Sequence, residues 1–164
     1  TCSIVFEYRL PAVHDWVVAG RALPAESFSF AYNAKDGKLE FAWFAHSPSA
    51  DWKHARQVGQ KPANGFGLFD MHGNVAEWCS DLVEVSTRGG DDFISSRTYR
   101  DAVFADEASP EGTRCLVRGG SWQDNAHDCR SASRRIQVPR AANGVTGFRI
   151  CLAPVKVKPS FESK

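Results

Sequence analysis

The sequence predicts an α+β domain with short helices, small antiparallel sheets and much irregular loop, and three patterns carry this prediction. A short helix is expected from Pro11 to Gly20, because proline suits the first helical turn and glycine suits the position after the last. Aromatic residues alternate with other residues over 24–40 around a turn at 33–37, which is typical of a β-hairpin. Segments nearer the C-terminus are predicted as closing strands at Leu116–Gly119, Asp128–Arg134 and Gly147–Leu152.

The remaining residues predict loops around these elements. Residues 44–64 are polar, with prolines at 48 and 62, and are expected to form a loop. Val75–Trp78 is expected to be a strand or a short helix. Residues 83–114 combine Gly, Ser, Arg and Pro and are predicted to be an inserted loop, with a short helix around Tyr99–Phe104. The organisation is therefore a single domain over residues 1–153 with this insertion, followed by a mobile tail at 154–164.

Length, composition and charge limit the classes of function. The chain has 164 residues, of which 43% are hydrophobic, so it is long enough to bury a core. A formal net charge of +1 gives no electrostatic reason to expect nucleic acid or an acidic membrane surface as a partner. No apolar run approaches the roughly 20 residues of a membrane span, and no signal peptide opens the chain. We therefore expect no nucleic-acid partner and no membrane span, and the compartment is left open.

The five cysteines are Cys2, Cys79, Cys115, Cys129 and Cys151. They include no CxxC pair and no Cys/His spacing that would suit a structural zinc ion. Cys79 and Cys129 stand in apolar sequence contexts. We therefore expect buried thiols that act as small hydrophobic side chains, with at most one or two disulfide bridges in the chain.

The stretch from Val58 to Trp78 is the most informative segment. Asp70 and Glu77 flank Gly73-Asn74, a dipeptide whose backbone readily takes positive φ, so the turn is expected to bring two carboxylates and several carbonyl oxygens together. Oxygen ligands in irregular geometry suit Ca²⁺. The alternative is that Asp70 caps its own turn and Glu77 pairs with a buried arginine. His72, in the same turn, is expected to face solvent.

Residues 65–81, GFGLFDMHGNVAEWCSD, closely resemble a motif of the formylglycine-generating-enzyme/sulfatase-modifying-factor family. Other motifs of the family occur in the same order and spacing, at Tyr8–Pro11 with Trp16, Val117–Trp122, Cys129–Arg134, Pro139–Arg140 and Gly147–Arg149. Ala12, Val13 and His14 depart from the family's usual TEA. Since these motifs span nearly the whole chain, the sequence is identified as a member of this family.

The resemblance implies a C-type-lectin-like fold. It also places a Ca²⁺ site in the turn, held by the side chains of Asp70 and Glu77 and the carbonyls of Gly73 and Val75. The Tyr8–Pro11 motif normally falls well inside the family's domain, so the chain corresponds to the C-terminal portion of that domain. The usual N-terminal part is then expected from elsewhere, for instance from a partner chain.

The catalytic members of the family set requirements that this sequence does not meet. Formylglycine-generating enzymes bind copper through two nearby cysteines just after the RGGSW motif, because Cu(I) requires soft thiolates. Here residues 123–129 hold one cysteine, Cys129, and it belongs to the closing motif. The five histidines show no HxH or HxxxH spacing, which argues against the iron site of the family's sulfoxide synthases. The resemblance therefore implies a domain that is not catalytic by itself. The alternative is a subunit or fragment of a metal-dependent oxidase whose ligands come from a missing segment or a partner chain.

A non-catalytic member is expected to be a recognition or accessory module that binds a protein or small ligand through loops on a rigid scaffold. The candidate contacts lie after the RGGS turn, at Trp122, Asp124, His127, Arg135, Ile136 and Arg140. This segment also resembles the variable region of proteins diversified by retroelements on the same scaffold, the alternative being an ordinary family member.

Arginines are frequent in the C-terminal third and allow two interpretations. Arg118, Arg135 and Arg140 are candidates for binding carboxylate or phosphate ligands, because guanidinium groups contact such anions through two hydrogen bonds. Other arginines recur in the family's motifs and are expected to pair inside the fold, namely Arg130, Arg134 and Arg149.

Overall fold

The structure is a computed structural model and describes residues 5–21, 32–33, 38–39, 42–45, 54–88, 91–99 and 113–155. These ranges contain one α-helix, α1 (Val13–Gly20), and a short 3₁₀ helix (Ala126–Cys129). Their strands, in chain order, are β1 (Val5–Arg9), β2 (Tyr32–Asn33), β3 (Lys38–Leu39), β4 (Ala42–Trp43), β5 (His72–Gly73), β6 (Ala76–Arg88), β7 (Asp91–Tyr99), β8 (Thr113–Arg118), β9 (Arg134–Gln137), β10 (Thr146–Gly147) and β11 (Cys151–Val155). One helix, small sheets and long irregular segments confirm the predicted α+β class.

Helix α1 is confirmed within two residues of its predicted start. The Asp15 carboxylate accepts a hydrogen bond from the Ala12 N–H at 3.2 Å, which satisfies a free donor at the helix N-terminus. A second carboxylate, Asp81 on β6, accepts from the Val13 N–H at 2.6 Å and fixes the helix to the main sheet. The helix buries Trp16 against the sheet and ends at Gly20, where a Cβ would lie 3.2 Å from the Trp16 ring.

The largest sheet has five strands in the order β10-β6-β8-β9, with β7 also paired to β6. Strand β6 pairs antiparallel with β7 and β8 and parallel with β10. The predicted strand at 75–78 is therefore confirmed, but it continues to Arg88. The pairing of Glu77 with Arg118 places the most informative motif of the sequence at the centre of this sheet.

The prediction of an inserted loop at 83–114 is wrong for its first half. Strands β6 and β7 form an antiparallel hairpin with Leu82 opposite Tyr99 and Arg88 opposite Asp91. Valine, threonine and phenylalanine on either side of the glycine pair at 89–90 suit such a hairpin, whereas the Ser and Arg content favoured a loop. The predicted helix at Tyr99–Phe104 does not include Tyr99, which ends β7, and its other residues lie outside the described ones.

The predicted hairpin at 24–40 is confirmed where the structure describes it. Tyr32 lies opposite Leu39 and Asn33 opposite Lys38 in antiparallel pairing. The other residues of that segment lie outside the described ones. Trp43 does not extend this hairpin, because β4 pairs in parallel with β5 and Trp43 lies opposite Gly73. At Gly73 φ is +78° and an added Cβ would lie 1.9 Å from the Trp43 carbonyl oxygen, so only glycine fits there.

The closing strands match the prediction in part. Strand β8 confirms the prediction at 116–119, but Asp128–Arg134 is wrong, because the 3₁₀ helix and a turn occupy 126–133 and β9 begins at Arg134. The predicted strand at 147–152 is divided into β10 and β11. Pro154 lies within β11, so the predicted mobile tail is wrong at residues 154 and 155, and residues 156–164 lie outside the described ones.

Two clusters form the core of the described residues. The larger one contains Trp16, Met71, Cys79, Val83 and Leu116, and the smaller one contains Ala42, Phe44 and Cys129. The pair β1–β11 forms a separate two-stranded antiparallel sheet, with Tyr8 opposite Leu152. None of the described helices is both long and apolar enough to cross a membrane.

Candidate functional site

The carboxylate of Glu77 is held inside the fold by an arginine and a tryptophan. Arg149 donates from Nε to Oε2 and from Nη2 to Oε1, both at 2.6 Å, which is a two-point contact. Trp16 donates from Nε1 to Oε2 at 2.7 Å. The Glu77 residue is only 5% exposed, so these contacts replace water as its hydrogen-bond partners. Both carboxylate oxygens therefore have protein donors, and Arg149 is structural as its motif implied.

The predicted calcium ligands do not converge through both carboxylates. A cation at Glu77 would have to compete with the Arg149 guanidinium, so the set of Asp70, Gly73, Val75 and Glu77 does not fit Ca²⁺ in this arrangement. The Asp70 carboxylate accepts from the Gly59 N–H at 2.8 Å through Oδ2, while Oδ1 is buried without a hydrogen-bond partner. A cation held by Asp70 and nearby carbonyls stays a prediction.

The buried cysteines are not arranged for thiolate chemistry. Burial raises the pKa of Cys79 to about 12 and that of Cys115 to about 11. Burial, with Asp124 and Asp128 nearby, raises the pKa of Cys129 to about 12. These groups are therefore protonated thiols at neutral pH, whereas Cu(I) binding requires thiolates. The expectation of buried free thiols is confirmed for these three, and Cys151 is also free.

The prediction that His72 faces solvent is wrong. Its Nδ1 lies 2.9 Å from the Cys129 carbonyl oxygen and its Nε2 lies 3.3 Å from that of Gly20, in a buried position. The imidazole thus links the end of α1 to the 3₁₀ helix. Among the residues that the structure describes, no three His, Cys, Asp or Glu side chains come together as a metal site.

Asp124, which the sequence suggested as an exposed contact, fixes the loop from within. Its Oδ2 accepts from the backbone N–H and the hydroxyl of Ser121, at 2.7 and 2.8 Å. Its Oδ1 accepts from Arg135 Nη2 at 2.5 Å, and its own carbonyl accepts from the Ala45 N–H at 2.8 Å. The side chain is 12% exposed, so Asp124 is a scaffold residue. Its hydrogen bond to Arg135 also raises the pKa of that guanidinium.

The other predicted contacts divide into fixed and exposed positions. Trp122 is fixed by its backbone N–H to the Asn74 carbonyl at 2.9 Å and by its Nε1 to the Gly144 carbonyl at 3.1 Å. Ile136 packs against the larger core cluster and is not an exposed contact. By contrast, the His127 side chain is 72% exposed, and Arg140 is exposed as well.

Arg118 is not a surface arginine, so its prediction as a ligand contact is wrong. It is buried and stacks over the Trp16 ring, with 5.5 Å from its guanidinium carbon to the ring centroid. Its guanidinium donates to the carbonyls of Ser131, Ala132 and Ser133. These three contacts turn the chain before β9, which explains why 128–134 is not a strand. Burial lowers the pKa of Arg118.

Asn74 is a key residue that the sequence identified only as part of a turn. It is buried with φ of 64°, and its amide accepts from the Arg56 N–H at 2.8 Å and donates to the Arg56 carbonyl at 3.2 Å. Its backbone bonds Trp43 and Trp122. The Gly-Asn dipeptide signals the positive φ, but no local pattern signals partners in three distant segments.

Comparison with known proteins gives a consistent set of relatives. A family model described as the sulfatase-modifying factor enzyme 1-like domain matches residues 2–154. The formylglycine-generating enzyme of Mycobacterium tuberculosis is 31% identical over 157 residues, which cover 90% of this chain and 52% of the enzyme. A serine/threonine-protein kinase, pkn1 of Chlamydia caviae, is 38% identical over 95 residues, covering 58% of this chain and 14% of the kinase. The chain thus spans at most about half of the length of these relatives.

Solved structures show the same fold. Treponema denticola variable protein 1 matches with a TM-score of 0.60 at 25% identity, over 87% of this chain and 46% of that protein. PvdO from Pseudomonas aeruginosa matches with a TM-score of 0.59 at 22% identity, over 87% of this chain and 51% of that protein. The C-type-lectin-like fold class expected from the sequence is therefore confirmed.

Proposed function

Since the chain belongs to the sulfatase-modifying-factor family, we propose that it is a non-catalytic recognition or accessory module, which binds a protein or small ligand through the surface of residues 122–140. The similarity to Treponema denticola variable protein 1 supports a member that uses this scaffold without catalysis. The chemistry of the thiols supports it too, because each of the three buried cysteines has its pKa raised to about 11 or 12.

The observation that carries this proposal is the contrast between a fixed base and an exposed rim in one segment. Asp124 binds Ser121, Arg135 and the Ala45 N–H, so the loop backbone is held in one geometry. Over this base, His127 and Arg140 stay exposed. A surface ordered before binding loses little conformational entropy when its ligand arrives, which favours recognition.

Charge indicates the kind of ligand. Arg134 and Arg140 are exposed in this segment, together with His127, whereas both acidic groups, Asp124 and Asp128, face Arg135. Exposed guanidinium groups favour ligands that carry carboxylates, because they contact them through two charge-assisted hydrogen bonds. The proposed ligand is therefore acidic.

A second candidate is a subunit or fragment of a metal-dependent oxidase that receives its metal ligands from a missing segment or a partner chain. The 31% identity to a formylglycine-generating enzyme over 157 residues favours it. Metal analysis of the purified protein distinguishes the two: stoichiometric copper or iron supports the oxidase, and their absence supports the recognition module.

A random peptide library displayed on phage tests the binding surface directly. We expect selected peptides to be rich in Asp and Glu and to bind the double variant His127→Ala/Arg140→Ala at least about tenfold more weakly. Val58→Ala is the matched control, since Val58 is exposed on a different loop. If the selected peptides bind the double variant at full strength, or lack acidic residues, the proposed surface is wrong.

A further inference from the structure

Strand β1 is exposed on both of its faces. Four of its five residues, Val5, Phe6, Glu7 and Tyr8, are exposed, and the Tyr8 residue is 75% exposed. In the described part of the chain β1 pairs with β11 alone, so its second edge carries backbone donors and acceptors without a strand partner there. A strand that is apolar, exposed and open at one edge is a template for pairing with another strand.

The outer face of the β1–β11 sheet is apolar over a continuous area. Residues opposite one another in an antiparallel pair point to the same face, so Phe6 lies beside Pro154 and Tyr8 beside Leu152. Leu152 and Pro154 are exposed, and so are Ile150 and Phe148 before them in alternate positions. Between them, Ala153 is buried against the body of the protein. The apolar side chains therefore stand on the side of the sheet that faces away from the core.

We infer that this apolar face is the interface with a second copy of the same chain, formed by antiparallel pairing of the two β1 strands. The result is a four-stranded sheet in the order β11-β1-β1-β11 across a two-fold axis. Such an interface is self-complementary, as closed homodimers require, and main-chain hydrogen bonds across the paired edges add to the apolar contact.

The area of the face is sufficient for a specific dimer. Large apolar side chains bury roughly 150–250 Å² each, and those on this face are half to three-quarters exposed. Five of them therefore offer roughly 500–600 Å² on each copy, or about 1,000–1,200 Å² in total, which reaches the lower limit of specific interfaces. An apolar patch of several hundred Å² is also at the upper limit of what monomeric proteins expose.

The charges on β1 select one register. With Tyr8 on the two-fold axis, Tyr8 lies opposite Tyr8 of the second copy, and Glu7 lies opposite Arg9 of the second copy. This register forms two pairs of opposite charge, whereas placing Glu7 on the axis would oppose two carboxylates. Arg9 already contacts Asp15 at 3.1 Å, so its guanidinium is held near the strand. Tyr8 is therefore the central contact of the proposed dimer.

Sedimentation equilibrium over a range of protein concentrations tests the dimer. We expect the 18.1 kDa chain to sediment as a dimer at high concentration. Tyr8→Lys should raise the dissociation constant at least about tenfold, because it places two ammonium groups together on the axis. The matched control is Val58→Lys, which introduces the same charge at a residue that is 76% exposed and lies away from this sheet, and it should leave the dissociation constant unchanged.

A cysteine at the axis tests the register even if Tyr8→Lys fails to fold. Opposite residues in an antiparallel pair have their Cα atoms about 4.5–5.5 Å apart, which is within the range of a disulfide. Under diamide oxidation, Tyr8→Cys should form a covalent dimer, whereas Val58→Cys and the unmodified chain should not. A monomer at every concentration overturns the inference, as does a dimer that neither variant affects. A monomer would instead indicate that another part of the family's domain covers this face.

Discussion

Removal of the Glu77 carboxylate is the perturbation with the clearest expected magnitude. Glu77→Ala leaves the Trp16 indole N–H, which is buried, without the acceptor at 2.7 Å. It also leaves Arg149 without the two-point contact at 2.6 Å. Both donors would keep their positions near the core without a counter-group, because the Phe69 carbonyl is the other contact of Arg149.

The loss can be estimated from these contacts. A buried donor left without an acceptor costs about 1–3 kcal/mol, and a buried ion pair that loses one partner costs about 3–5 kcal/mol. The Arg149 side chain is 25% exposed, so water partly compensates its lost contact and the lower values apply. We therefore expect Glu77→Ala to lower the free energy of unfolding by about 4 kcal/mol. Glu77→Gln retains the acceptor oxygen and should cost about 2 kcal/mol.

Urea unfolding followed by far-ultraviolet circular dichroism measures this effect without relying on tryptophan fluorescence. The denaturant midpoint should fall while the slope stays constant. The control is Asp128→Ala, whose carboxylate lies 3.6 Å from Arg135 and is partly exposed, and which should cost no more than about 1 kcal/mol. A loss below about 1 kcal/mol for Glu77→Ala would show that the contacts to Trp16 and Arg149 are not what holds this part of the fold.

Two further predictions concern cations and thiols. If Asp70 and neighbouring carbonyls hold Ca²⁺, millimolar calcium should raise the melting temperature and Asp70→Asn should remove the rise; an unchanged melting temperature refutes the site. Cys79, Cys115 and Cys129 should resist Ellman's reagent until the protein unfolds, and rapid reaction of all three in the folded protein would contradict their burial. Because their pKa values are raised to about 11 or 12 from the model value of 9.0, the unfolded state loses these protons first. Stability should thus be constant below pH 9 and fall between about pH 9 and 12, by up to about 1.4 kcal/mol per pH unit for each thiol.

Local patterns were sufficient for the elements that local chemistry determines. Helix α1 was predictable because proline, an apolar face and glycine act within one segment. Strand β8 and the Tyr32–Leu39 hairpin were predictable from alternation for the same reason. The 128–134 segment was not, because its turn depends on carbonyl contacts to Arg118, which lies 13 to 15 residues away.

The candidate site was predictable only as a region. The family motifs located residues 122–140 and suggested the pairing of Arg149 inside the fold, which the structure shows with Glu77. They did not indicate which polar residues are covered. Asp124 and His72 have the composition of surface residues, and only their contacts with distant backbone groups reveal that they hold the scaffold together.

Formylglycine formation is the most direct test of the claim that this chain is not catalytic by itself. The purified chain would be incubated with copper and a sulfatase-type cysteine peptide, with the Mycobacterium tuberculosis formylglycine-generating enzyme as the positive control, and products would be measured by mass spectrometry. Because Cys129 is buried with a pKa raised to about 12, no conversion is expected. Conversion that Cys129→Ser abolishes would contradict the claim and establish Cys129 as a catalytic residue.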